Sequence, residues 1–165
     1  MSLCKILDTC TMINIFVESG VNCDGFFRKY ESVTTPHVVE EYTRKYPRVV
    51  PDCLNVIDFD KDVSQLYDDS ELLFPGLGPG ERSAFVLAIS MLPSEKDIVI
   101  LSDDKKAVKK MSEFCTDEDS LSLFPGIDKI RWGNTSDVLH KMNEHGDITQ
   151  TELGTAFQKL NFNPM

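Results

Sequence analysis

Six acidic residues of this chain fall where strands should end or helices begin. Asp8 closes the apolar run LCKILD, Asp103 and Asp104 follow VILS, and Glu81 comes directly after the loop PGLGPG to open the helix ERSAFVLAISML. Glu40 and Glu41 lie one turn into a segment that begins TPHVVEEY. If these carboxylates share a crevice, their mutual repulsion raises their pKa values, and a divalent cation relieves it. Mg²⁺ and Mn²⁺ suit all-oxygen sites in near-octahedral geometry, with positions left for water and phosphate oxygens. The chemistry such a platform supports is hydrolysis of a phosphate ester. Each acid also has a plainer role. Asp8 and the Asp103–Asp104 pair suit helix N-caps, Glu81 suits the positive end of a helix dipole, and Glu41 suits a solvated helix face. Only the metal reading requires them to meet.

For the acids to converge, strand ends and helix starts must lie along one edge of the molecule. The pattern predicts strands at 3–8, 32–35, 97–102 and 127–132, with a strand or extended link at 55–59. Helices are expected at 9–19, at 24–31, from Pro36 with Thr35 as N-cap, at 60–73, 81–92 and 103–114, and at about 135–144 and 149–160. Residues 75–80 read as a loop and TDEDSLSLFPG, 116–126, as a polar surface loop. No repeat or low-complexity tract is apparent. This alternation predicts a three-layer α/β/α sandwich with a mostly parallel sheet, one domain over residues 1–165, with 115–165 supplying its last strand and helices. In such sheets ligands collect outside the carboxyl ends of the strands.

Composition narrows the function classes. With 41% apolar and 27% charged residues the chain can bury a proper core, and no apolar run approaches the ~20 residues that span a bilayer. No secretory leader is evident in MSLCKILDTC, so a cytoplasmic, membrane-free protein is expected. Cysteines at 4, 10, 23, 53 and 115 are odd in number and form no CxxC pair, which argues for reduced, mostly buried thiols rather than a disulfide framework or zinc knuckle. The formal charge of -10 is a poor footprint for holding nucleic acid by bulk electrostatics. Any such activity must rely on cations and on local bases such as Lys105, Lys106, Lys109, Lys110, Arg44 and Lys45, of which Lys105, with Arg82, is best placed for phosphate. His37, His140 and His145 have no ligand spacing, and Trp132 reads as core.

The succession ILDTCTMI, TPHVVEEY, GPGERSAFVLA and ILSDDKKAVKKM resembles the PIN domain, a family of Mg²⁺- or Mn²⁺-dependent ribonucleases that includes many toxins of toxin–antitoxin pairs. The resemblance spans residue 3 to about 113, and the tail from Gly126 is similar to one prokaryotic branch. It implies Asp8, Glu41, Glu81 and Asp104 as the acidic quartet, with Glu40 an alternate to Glu41, Asp103 a further ligand directly or through water, and Ser102 supporting the turn. It also implies single-stranded RNA as substrate, an antitoxin or other basic protein as partner, and a chain able to pair with itself. Cys10 stands where the family commonly has a polar residue, often Asn. Cys10 also disfavours a haloacid-dehalogenase-like phosphatase, which needs an acid there, and a receiver domain needs paired acids where only Asp8 occurs. The remaining alternative is a PIN-like interaction module without catalysis that binds a basic protein.

Overall fold

The computed structural model describes residues 3–47 and 49–162. Strands β1 (Leu3–Leu7), β2 (Glu31–Thr34), β3 (Asn55–Val56), β4 (Asp97–Leu101) and β5 (Arg131–Gly133) form one all-parallel sheet in the order β3-β2-β1-β4-β5. Nine helices occur among the described residues: α1 (Thr9–Ile13), α2 (Asp24–Arg28), α3 (Pro36–Lys45), α4 (Lys61–Leu73), α5 (Pro79–Ser90), α6 (Lys105–Thr116), α7 (Glu118–Leu123), α8 (Thr135–Glu144) and α9 (Gln150–Leu160). None is long and apolar enough to cross a membrane.

The two-residue period of the central strands divides the core into layers. Cys4 and Ile6 of β1 with Ile98 and Ile100 of β4 face a cluster built on α5 and α6. Leu7 and Leu101 face the opposite cluster, from α1, α2, α3, α8 and α9. The central strands are therefore buried on both sides, the arrangement an all-parallel sheet requires. Lys5 is the polar exception; its ammonium lies 4.6 and 4.3 Å from the ring centres of Phe26 and Tyr30, and burial lowers its pKa to about 8. Local caps set where helices start: Thr35 accepts the Val38 N–H at 3.1 Å ahead of Pro36, and Asp60 accepts the Val63 N–H at 2.9 Å.

Several boundaries differ from the sequence expectation. The segment 9–19 leaves α-helical geometry after Ile13 and continues as a π-helical turn over Asn14–Glu18, with Ser19 N–H bonded to the Asn14 carbonyl at 2.8 Å. The helix expected at 24–31 stops at Arg28, because Glu31 already pairs with Cys4 in the sheet. Only Asn55 and Val56 of 55–59 are strand. The 116–126 surface loop contains α7, started by Asp117, whose carboxylate accepts the Ser120 N–H at 3.1 Å. The strand expected at 127–132 begins as a 3₁₀ turn, Ile127–Lys129, after Gly126 at φ 93°, and pairs only from Arg131. Helix α5 begins at Pro79, inside the expected loop, so Glu81 keeps its place in the first turn.

A short repeat is also present: DDSELLFPG at 68–76 and EDSLSLFPG at 118–126 agree at six of nine positions. These segments end α4 and α7.

Candidate active site

From β1 the sheet extends to β2 and β3 on one side and to β4 and β5 on the other. The carboxyl ends of β1 and β4 flank this topological switch point, the position at which open parallel sheets bind ligands. Asp8 and Ser102 are the first residues beyond those ends, and the Asp8 N–H ties them together through the Leu101 carbonyl at 3.2 Å.

Asp8 caps α1 with one oxygen only. Its Oδ1 accepts the Thr11 N–H at 2.9 Å, while Oδ2 is buried with no hydrogen-bond partner. The residue is 2% exposed, and this burial pushes its carboxyl up from 3.8 to about 6. The nearby Ser102 hydroxyl and Thr11 offset part of that rise, and the Asp103 charge adds to it.

Glu81 and Asp104 are likewise both caps and neighbours. Glu81 Oε2 accepts the Gly78 N–H at 3.1 Å at the start of α5, and Asp104 Oδ1 accepts the Ala107 N–H at 3.0 Å at the start of α6. The two carboxyls also neighbour each other, and each shifts the other's titration. Burial first, then this contact and the charges of Asp104 and Asp8, drive Glu81 up to about 7. Asp104 moves the other way, held down chiefly by the Ala107 N–H.

Glu41 approaches from α3. Its Oε1 is buried without a partner and lies so near Gly80 that a Cβ there would strike it, as well as Thr9 Oγ1 at 2.8 Å. Thr9 Oγ1 is itself buried and unpartnered. The close approach of α3 to α5 is fixed by a buried Thr35–Ser83 hydroxyl pair at 2.6 Å. Glu40 instead faces solvent, paired to Arg44 at 3.0 Å, so of the two adjacent acids Glu41 is the one brought inward.

Asp103 has a different task. Its carboxylate accepts from Asn14 Nδ2 at 2.6 Å, from the Thr135 N–H at 2.7 Å and from the Thr135 hydroxyl. Both oxygens are engaged in tying the end of β4 to the π-helical turn and to the start of α8, so a direct ligand role would break these bonds. Ser102 supports the adjacent turn, its hydroxyl accepting the Asp104 N–H at 3.3 Å.

Cys10 lies at the surface with its thiol only partly screened from water; that partial desolvation, then the charges of Asp8, Glu81 and Asp104, raise its pKa to about 11, while Lys45 lowers it. The thiol therefore stays protonated at the rim of the crevice. Lys105 lines an adjoining groove of about 840 Å³ together with Ser102, Lys109, Trp132 and Asn134. Trp132 is half-buried beside Phe85, their ring centres 6.4 Å apart, and its remaining surface lines this groove. Arg82 does not reach the groove lining: it is 8% exposed, stacked 4.4 Å from the Tyr67 ring centre and paired to Glu71 at 3.1 Å. His37 stacks on the same ring at 4.1 Å.

Thr9, Asn14, Gly80 and Thr135 belong to the site's framework but were not singled out from sequence. Asn14 had a signal, as a lone amide in the apolar run TMINIF; the others resemble ordinary helix-start residues.

The donors present fit a hard divalent cation. Asp8 Oδ2 and Glu41 Oε1 lack partners, and the Glu81 and Asp104 carboxyls are close enough to perturb each other. They do not close on one point: among the described residues no three Asp, Glu, His or Cys side chains stand in a metal-holding group. No protein-family model matches the chain, and comparison with curated proteins and with solved structures gives no match.

Proposed function

We propose that this crevice is the active site of a PIN-type metal-dependent ribonuclease acting on single-stranded RNA, with Mg²⁺ or Mn²⁺ as cofactor. One observation carries the reading: beside the switch point, acids that follow β1 and β4 and acids on α3 and α5 include two buried, unpartnered carboxylate oxygens, Asp8 Oδ2 and Glu41 Oε1, with Glu81 and Asp104 close enough to shift each other's titration. Structural caps need only one oxygen each and give no reason for that crowding. Asp8, Glu81 and Asp104, with Glu41, would hold the cation. When bound it would neutralise their repulsion, polarise a phosphodiester and favour ionisation of the attacking water.

The chain's own groups supply the rest. In hydrolysis the water oxygen bonds to phosphorus as the bond to one ribose oxygen breaks; the water loses a proton and the departing oxygen gains one. Lys105 and Lys109 of α6 line the adjoining groove, where their ammonium groups would grip flanking phosphates. Trp132 offers half-exposed aromatic surface in the same groove for a base to stack on. Arg82 is not assigned to substrate, because its guanidinium is already engaged with Tyr67 and Glu71. A basic antitoxin would complement the net charge of -10, whereas a cytoplasmic location and self-pairing rest on the family resemblance alone.

The test is cleavage of a fluorogenic single-stranded RNA panel with Mn²⁺ or Mg²⁺, beside EDTA and an Asp8→Asn variant. Expected is turnover that needs the metal and falls at least ~100-fold in the variant. No turnover on any RNA, with no metal uptake by calorimetry, would overturn the reading and favour a non-catalytic PIN-like module.

A further inference from the structure

The two copies of the repeated motif lie side by side. In each, the Phe N–H bonds to the Ser carbonyl four residues back at 2.8 Å, from Phe74 to Ser70 and from Phe124 to Ser120. The backbones match: Phe74 at φ -132°, ψ 68° and Phe124 at φ -129°, ψ 78°, followed by Gly76 at φ 90° and Gly126 at φ 93°. Both rings turn inward, their centres 6.1 Å apart, and Phe74 packs on Phe85 and Phe114.

This pairing leaves leucines outside. Of the five large hydrophobic side chains exposed among the described residues, Leu72 (90%), Leu123 (62%) and Leu73 (38%) gather at these two helix ends. They line a cavity of about 530 Å³ with Asp117 and Asp119 and, among the described residues, no cation. Two helix C-termini add the negative ends of their dipoles. Asp68 and Asp69 lie one turn before Leu72 on α4, as Asp119 does before Leu123 on α7. An apolar centre inside an acidic rim repels nucleic acid and matches a chain that is both apolar and basic.

We propose that the twinned ends of α4 and α7 form a docking site for a cationic amphipathic segment of a partner protein, with apolar anchors entering between Leu72 and Leu123 and flanking Lys or Arg meeting the aspartates. The proposal does not rest on the nuclease reading, because none of these residues belongs to the acidic crevice.

A displayed library of random peptides, selected on the full chain, tests it. Enriched peptides should combine Lys or Arg with Leu, Ile or Phe, bind one per chain in calorimetry, and weaken with added NaCl. Their affinity should fall at least about tenfold for Leu72→Ser/Leu123→Ser, exposed changes that leave the melting temperature nearly unchanged. Asp69→Asn/Asp119→Asn should weaken the same peptides. The proposal is overturned if no peptide is enriched, if the peptides lack basic residues, or if they bind the leucine variant equally well. Displacement of bound peptide by an RNA oligonucleotide, or self-association abolished by the leucine changes, would also overturn it.

Discussion

Asp8, Glu81 and Asp104 each cap a helix with one oxygen, and this double duty makes their titration informative. Asp8 rises from 3.8 to about 6 and Glu81 from 4.5 to about 7, so both hold a proton more tightly in the folded chain than in the unfolded one. Their contribution to stability is intact below about pH 4 and is lost as pH climbs through about 6 to 7. Glu81→Gln keeps the acceptor for Gly78 and removes the charge. It should raise the melting temperature by roughly a few degrees at about pH 8 and change it little at about pH 4, read by calorimetry in EDTA. Saturating Mn²⁺ should raise the melting temperature of the native chain and not of Asp8→Asn, since a ligand stabilises only the state it binds. At this scale the sequence was informative about which acids stand at strand ends and helix starts, because such positions are visible in the residue pattern. The separate tasks of Asp103 and Asp104 were not, because adjacent acids diverge only when the π-helical turn and α8 supply partners for one of them.

Elements meet at two points that control the site. Gly80 lets α3 and α5 approach until Glu41 and Thr9 occupy the space a Cβ would need. Gly80→Ala would ordinarily favour a helix by roughly 0.4–1 kcal/mol. Here it should displace the Glu41 carboxyl and press on the stiff, buried Thr9, lowering the melting temperature and, on the proposed reading, abolishing most metal-dependent cleavage. Asp103→Ala is the opposite case. It removes the junction of β4, Asn14 and Thr135 and should cost about 2–3 kcal/mol in urea unfolding, while Mn²⁺ affinity of the folded fraction stays within about threefold. Helix and strand identity was legible wherever a single period ran to its cap, as in α3, α8 and α9. It failed at α7, where polar residues and a following Pro-Gly concealed an Asp117 N-cap, and at 127–132, where Gly126 delays pairing.

For the molecule as a whole, if the proposed nuclease reading holds, charge should govern how RNA is held. A chain of net charge -10 can grip phosphates only where Lys105 and Lys109 stand clear of the acids. The slope of log affinity against log salt should therefore be shallow and flatten by about 1 in Lys105→Ala, measured with uncleavable RNA. The parallel architecture was readable because strands and helices alternate along the chain, whereas the twinned helix ends were not: six shared letters in nine gain meaning only when two distant segments pack together. The double duty of the acids also has an evolutionary consequence. On the proposed nuclease reading, a descendant that lost catalysis would still need Asp8, Glu81 and Asp104 to start three helices, so selection for folding alone would preserve them. Glu41 lies inside α3 rather than at its start and carries no such obligation. Among relatives of this chain, drift at position 41 would be the earliest mark of an enzyme turned into a binding protein.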